Sequence, residues 1–85
     1  MRAAVVRDFN EDLSIEKVDD PDCPDNGVIL KVAACGVCRS DYHGWSGGNP
    51  KVQNGSILGH EYCGTVVEAG PQAQYKVDDR LIAPF

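Results

Sequence analysis

The sequence has few positive charges and no long apolar run, and both scarcities exclude classes of function. Its 85 residues include 13 acidic and only 8 basic side chains, which gives a net charge of −5. The basic residues are scattered, whereas a nucleic-acid-binding protein needs a positive patch. No stretch approaches the roughly 20 apolar residues of a membrane helix, and no secretory signal is visible. We therefore expect a cytoplasmic protein that binds neither nucleic acid nor a membrane.

The length allows one small domain. A domain of this size buries only about 60–65% of the surface of its unfolded chain. The composition, with 42% hydrophobic and 25% charged residues, is that of an ordinary globular protein. No glycine-rich dinucleotide fingerprint follows a predicted strand. We expect residues 1–85 to form a single truncated domain that lacks a nucleotide-binding domain.

The hydrophobic pattern is typical of a mainly β fold. Strands are predicted over residues 3–7, 13–18, 27–35, 61–69 and 80–83. The first two flank a turn-rich tripeptide and should form a hairpin. The run 27–35 is the most apolar, and we expect it to be a central strand. In the 61–69 strand, Cys63, Thr65 and Val67 should face the core. Residues 39–43 are the best candidate for a short helical turn.

A glycine-rich segment from Gly36 to Gly59 is the main candidate for function. Six glycines lie in it, and long loops in small domains are either functional or disordered. Cys38, His60 and Glu61 flank its ends and are ligand types that hold zinc. A catalytic zinc site needs about three protein ligands and an open position. On spacing alone, a buried thiol and a hydrogen-bonded histidine remain the commoner explanation.

Two linked motifs resemble the zinc-dependent medium-chain alcohol dehydrogenases. They read Gly-Val-Cys-Arg-Ser-Asp at 36–41, followed by His43 and Trp45, and Gly-His-Glu at 59–61, followed by Gly64 and Glu-Ala-Gly at 68–70. The resemblance covers nearly the whole chain and implies the N-terminal part of a GroES-like catalytic domain, a partly open β-barrel. It also implies a full-length oxidoreductase that uses Zn²⁺ and NAD(P) to oxidise a small alcohol through a zinc-bound alkoxide. Because the family's third zinc ligand lies beyond residue 85, we expect the isolated chain to be inactive.

The resemblance implies a metal role for four residues. Cys38 and His60 are expected to bind the zinc ion. Glu61 is expected to lie beside it and to approach it during catalysis, when water or substrate leaves. Asp41 is expected to orient the histidine ligand, a role that such outer carboxylates perform in many metal sites.

Four more residues receive roles around the metal from the same resemblance. Ser40 is expected to accept the proton of the alcohol, and His43 to pass it outward and to face the cofactor. Arg39 is expected to meet the pyrophosphate of NAD(P). Trp45 is expected to narrow the substrate pocket, although an aromatic residue that simply covers the edge of the core is an equal alternative.

The sequence leaves three alternatives open. The Cys35-Gly36-Val37-Cys38 sequence could be a redox motif, but the βαβ context of such motifs is missing. Cys35, Cys38, His60 and Cys63 could form a structural Cys₃His zinc site. The chain could also be a non-enzymatic interaction module that self-associates through an exposed interface.

Two further positions carry expectations of their own. Asp78 stands where the family usually has glycine, and aspartate tolerates a left-handed turn there. Cys23 lies in an acidic, proline-containing turn and should be an inert thiol.

Overall fold

The computed structural model describes residues 1–83, and these residues form five strands and one helix. The elements are β1 (Arg2–Val5), β2 (Ser14–Lys17), β3 (Val28–Gly36), α1 (Arg39–Trp45), β4 (Glu61–Ala69) and β5 (Arg80–Ile82). They belong to two compact units. The first unit contains residues 1–20 and 37–59, and the second contains residues 21–36 and those from His60 onward. No helix in the described part of the chain has the length and apolar character to cross a bilayer.

The first unit is built on the predicted hairpin. β1 and β2 pair antiparallel, from Arg2 opposite Lys17 to Val5 opposite Ser14. Val5 and the next residue, Val6, are each only 1% exposed. The backbone of residues 55–57 extends this pairing, because the Val6 N–H donates to the Ser56 carbonyl at 2.9 Å. The end of the glycine-rich segment is therefore fixed to the hairpin.

A polar network around Arg7 adds to this attachment. Its guanidinium donates to both carboxylate oxygens of Glu16, at 2.7 and 2.6 Å, and to Oδ1 of Asn54 at 2.9 Å. The Asn54 amide in turn donates to the Arg7 carbonyl at 2.9 Å. The bonds from Arg7 lower the pKa of Glu16 to about 2. A bidentate pair of this kind fixes direction as well as distance.

Helix α1 begins after Cys38, which caps it with an extended backbone at φ −123°. Gly44 is the one buried residue of the helix. A Cβ atom at Gly44 would lie 3.1 Å from both Leu58 Cδ2 and Val52 Cγ2. The helix thus packs closely on the far part of its own glycine-rich segment. The predicted helical turn is confirmed and runs two residues further than expected.

The second unit is an antiparallel sheet with the order β3-β4-β5. β4 is therefore its central strand, and the expectation that residues 27–35 would be central is wrong. An apolar run indicates what a strand can bury but does not specify its place in a sheet. In β3, residues 31–36 are all exposed, and Val32 is 56% accessible. The pairing register between β3 and β4 also shifts at two points.

The buried face of β4 is the opposite of the one expected. Gly64 and Val66 are buried, whereas Val67 is 51% exposed and Cys63 and Thr65 are half-buried. The predicted core face of Cys63, Thr65 and Val67 is thus wrong. Gly64 lies against the backbone of β3, where a Cβ atom would overlap the carbonyl oxygen of Lys31. Only glycine fits there, and an alternating apolar pattern does not reveal such a contact.

The turn before β5 confirms the expectation for Asp78. Its φ is +79°, in the left-handed region that aspartate tolerates. The Asp78 N–H donates to the Val66 carbonyl at 2.9 Å, which ties this turn to the central strand. The fold is mainly β, as predicted, and neither sheet closes on itself within residues 1–83.

Candidate metal centre

Asp41 connects the two ends of the glycine-rich segment. Its Oδ2 atom accepts the backbone N–H of Cys38 at 3.1 Å, and its Oδ1 atom accepts the backbone N–H of Gly59 at 3.1 Å. The first bond is the carboxylate half of a capping box at the start of α1. Gly59 has a φ of +107°, which L-amino acids rarely adopt. One carboxylate thus fixes the backbone at both ends of the segment.

The residue after Gly59 is His60, so the same bonds restrain where its imidazole can lie. The ligand atoms of Cys38, Asp41 and His60 lie within 4.8 Å of one another, and all three residues are partly buried. A thiolate, an imidazole and a carboxylate are donors that Zn²⁺ accepts in four-coordinate sites. The residues present therefore fit a zinc ion. Among residues 1–83, no other group of three or more His, Cys, Asp or Glu side chains has its ligand atoms this close together.

Asp41 is expected from the sequence to orient the histidine ligand, and its carboxylate lies within 4.8 Å of the other two ligand atoms. That role stays a prediction. Because each of the Asp41 oxygens already accepts a backbone N–H, it is well suited to hold Cys38 and the chain before His60 in place. Glu61 is not part of the group. It pairs with Gly36 across β3 and β4, and a Cβ atom at Gly36 would lie 3.3 Å from Glu61 Oε2.

Ser40 lies beside the thiol. Its Oγ is 2.8 Å from Cys38 Sγ, within hydrogen-bonding distance, and the contact is exposed. The hydroxyl that is predicted to accept the proton of the alcohol thus directly contacts the thiol that is predicted to bind the metal. Its role as a proton acceptor stays a prediction.

The exposed surface of α1 carries a cluster of side chains around Tyr42. The guanidinium carbon of Arg39 lies 4.5 Å from the centroid of the Tyr42 ring. The same ring is 5.8 Å from the rings of both His43 and Trp45. Trp45 donates its indole N–H to the Glu11 carbonyl at 2.7 Å. Sequence reasoning missed Tyr42, although the i, i+3 spacing from Arg39 on a predicted helix could have indicated the contact.

None of the four cysteines forms a disulfide bond within residues 1–83. Cys35 is exposed, and its thiol lies 3.5 Å from the Gly36 carbonyl oxygen. Neither Cys35 nor Cys63 joins Cys38 and His60 in a metal-ligand group among the described residues, so the Cys₃His arrangement is not formed. The Cys23 thiol lies 3.5 Å from the Gly27 carbonyl oxygen, and burial, followed by Glu68, raises the pKa of Cys23. A raised pKa disfavours the reactive thiolate, which agrees with the expected inertness of Cys23.

Comparison with known proteins identifies relatives of this chain. Residues 24–85 match the model of the alcohol dehydrogenase GroES-like domain. The chain is 39% identical over 83 residues to the D-arabinose 1-dehydrogenase (NADP⁺) of Saccharolobus solfataricus, which covers 95% of this chain. It is 38% identical over 87 residues to an alcohol dehydrogenase of Geobacillus stearothermophilus, which covers all of it.

A solved structure has the same fold. A protein described as a zinc-binding dehydrogenase of Sinorhizobium meliloti 1021, bound to NADP, superposes with a TM-score of 0.80. It is 32% identical, and the match covers 93% of this chain and 23% of that one. The chain spans 24% and 26% of the lengths of the two curated relatives. It thus corresponds to about a quarter of such a protein.

Proposed function

The chain belongs to the family of alcohol dehydrogenase GroES-like domains, and from this premise we propose that it carries the catalytic zinc site of a zinc-dependent, NAD(P)-linked alcohol dehydrogenase. The observation that carries the proposal is the approach of the Cys38, Asp41 and His60 ligand atoms to within 4.8 Å of one another. The Cys38 thiol and the His60 imidazole are distant in sequence, so something must hold them close together. Asp41 can do so, because its carboxylate accepts hydrogen bonds from the backbone of Cys38 and of the residue before His60.

Cys38 and His60 are the proposed zinc ligands. Bound zinc would supply Lewis acidity, which lowers the pKa of a hydroxyl group that binds it, as it lowers that of water to about 7. Asp41 would keep both ligands in place, a function for which its two backbone bonds suit it. Glu61, which begins β4 directly after His60, would approach the metal when another ligand leaves.

Ser40 and His43 are the proposed path for the proton. The Ser40 hydroxyl would accept the proton of the alcohol, and His43 would deliver it to solvent. The contact of Ser40 Oγ with Cys38 Sγ at 2.8 Å supports this, since it puts the hydroxyl next to a metal ligand. Ser40 and His43 are both exposed residues of α1. The proposed path would therefore run along residues of one helix toward water.

Arg39 is the proposed contact to the cofactor, and Trp45 is the proposed contact to the alcohol substrate. Arg39 is exposed, and within residues 1–83 no acidic side chain forms an ion pair with it. Its donors therefore suit the pyrophosphate of NAD(P). Trp45 is half-buried and would line the pocket of a small primary or secondary alcohol. Hydride acceptance belongs to the nicotinamide, and we propose that the complete active site also requires a nucleotide-binding domain.

Metal stoichiometry with matched cysteine variants tests the proposal. We expect the chain to bind one Zn²⁺, and Cys38→Ser to weaken that binding strongly because serine is a far poorer ligand. Cys23→Ser is the control, since Cys23 is equally half-buried but lies in the second unit. Equal zinc content in both variants would contradict the proposal. In a protein of the length of the relatives, Cys38→Ser should also abolish alcohol oxidation with NAD⁺ or NADP⁺.

A second candidate function is a non-enzymatic interaction module. Ile82, on strand β5, is 76% exposed, an unusual position for a large apolar side chain. If association through this strand is the function, sedimentation should show an oligomer that Ile82→Lys dissociates. Ile15→Lys, at a residue 66% exposed on β2, is the control. Absence of zinc together with such self-association would favour this function over the dehydrogenase.

A further inference from the structure

Tyr42 occupies the centre of the side-chain cluster on α1, and neither the metal site nor the proton path uses it. It lies three residues after Arg39, on the same side of the helix. The Arg39 guanidinium carbon is 4.5 Å from its ring centroid, within the range of a cation–π contact. Tyr42 is 45% exposed. A large aromatic side chain therefore lies half in solvent, directly against the side chain proposed to meet a phosphate.

The contact leaves the hydrogen-bonding capacity of Arg39 intact. A cation–π contact uses the charge of the guanidinium and consumes none of its five N–H donors. Within the described residues, neither a side-chain hydrogen bond nor an ion pair of Arg39 is formed. Arg39 is thus restrained in position while its donors remain available. This differs from Arg7, whose donors are bound to Glu16 and Asn54.

The Tyr42 ring also contacts a second aromatic side chain. Tyr42 and Trp45 have ring centroids 5.8 Å apart, and the Trp45 indole N–H donates to the Glu11 carbonyl at 2.7 Å. The loop between β1 and β2 therefore anchors Trp45, which packs against Tyr42, which in turn contacts Arg39. A ring supported in this way can hold a flexible cation in one orientation.

We infer that Tyr42 is a positioning residue that pre-organises Arg39 to bind a diphosphate group. A free arginine side chain loses conformational freedom when it binds, and a side chain already held loses less. The inference rests on the proposed function, because the ligand class is the diphosphate of a nicotinamide dinucleotide. Tyr42 would contribute through Arg39 and need not touch the ligand.

Nuclear magnetic resonance of the 85-residue chain tests this with inorganic pyrophosphate as the probe. The Tyr42 ring should shift the Arg39 side-chain resonances upfield, and their titration gives the dissociation constant. We expect Tyr42→Leu to remove the upfield shift and to weaken pyrophosphate binding about two- to fivefold, the size of an exposed cation–π contact. Tyr42→Phe keeps the ring and should preserve both properties. Tyr75→Leu is the control, since Tyr75 is 51% exposed in the second unit.

The outcomes separate this inference from the proposed function. If Arg39→Gln binds pyrophosphate as tightly as the unaltered chain, the assignment of Arg39 to the cofactor fails, and the inference fails with it. If Arg39→Gln weakens binding but Tyr42→Leu binds like the unaltered chain, only the inference is overturned. Loss of affinity in Tyr42→Phe equal to that in Tyr42→Leu would also overturn it, because the ring would then not be the cause.

Discussion

The Asp41→Asn substitution should weaken zinc binding by removing one of two bonds that position the ligands. The aspartate accepts the Cys38 and Gly59 backbone N–H groups through different oxygens, each at 3.1 Å. Asparagine has a single acceptor oxygen, and its amino group would face the second N–H, donor against donor. A hydrogen bond to a charged group contributes about 1.5–3 kcal/mol. Outer partners of metal ligands typically change affinity about 10- to 100-fold, and we expect a loss in that range.

Competition with a chromophoric chelator measures this loss. Asp79→Asn is the matched control, because Asp79 Oδ2 accepts one backbone N–H, that of Lys76, at 2.9 Å. Asparagine can preserve that single bond, so Asp79→Asn should bind zinc like the unaltered chain. Equal zinc affinity in Asp41→Asn and Asp79→Asn would refute the claim that Asp41 organises the centre.

Three further substitutions test the backbone and the ion pair. Gly59→Ala should weaken zinc binding in the same chelator assay, because a φ of +107° is strained for alanine by about 1–3 kcal/mol. Gly64→Ala should lower the free energy of unfolding in urea by about 1–3 kcal/mol, since its Cβ would overlap the backbone of the neighbouring strand; Gly48→Ala, with ordinary contacts of 3.4 Å or more, should cost less. Glu16→Gln should destabilise the chain at neutral pH. Because Arg7 lowers the folded pKa of Glu16 to about 2, the stabilising effect is complete above the unfolded value of 4.5 and is lost as the pH falls through about 2. Urea titrations of both proteins should therefore converge below that pH.

The strands could be predicted where the recurrence of apolar residues and the position of turn residues indicate the same boundaries. The predicted strand 61–69 matches Glu61–Ala69 in the structure, because apolar residues recur along it and Gly70-Pro71 ends it. The hairpin of β1 and β2 and the left-handed Asp78 followed from turn chemistry in the same way. These properties depend on a few adjacent residues, and a sequence displays them directly.

The order and facing of the strands depend on tertiary contacts and were mispredicted. The apolar content of residues 27–35 does not reveal that β4 lies between β3 and β5. Gly64 is buried in β4 close to the Lys31 carbonyl oxygen, a contact between residues 33 positions apart in the sequence. Register shifts in β3 add to this, since each one changes which side chains face the core.

The metal centre was predicted in part. The motifs indicated Cys38 and His60, and the structure brings their ligand atoms together with that of Asp41. The Cys-x-x-Asp spacing resembles a capping box with cysteine in place of serine, so one of the two backbone bonds of Asp41 could have been anticipated. Its bond to Gly59, 18 residues away, could not, because it requires the folded segment.

X-ray absorption at the zinc edge tests the central claim most directly. With Zn²⁺ bound, the chain should show one sulfur together with imidazole nitrogen in the metal shell, and Cys38→Ser should lose the sulfur contribution. Removal of the imidazole by His60→Ala should eliminate the outer-shell scattering of the imidazole ring and leave the sulfur. A shell without sulfur, or sulfur that persists in Cys38→Ser, would show that Cys38 and His60 do not share one metal ion.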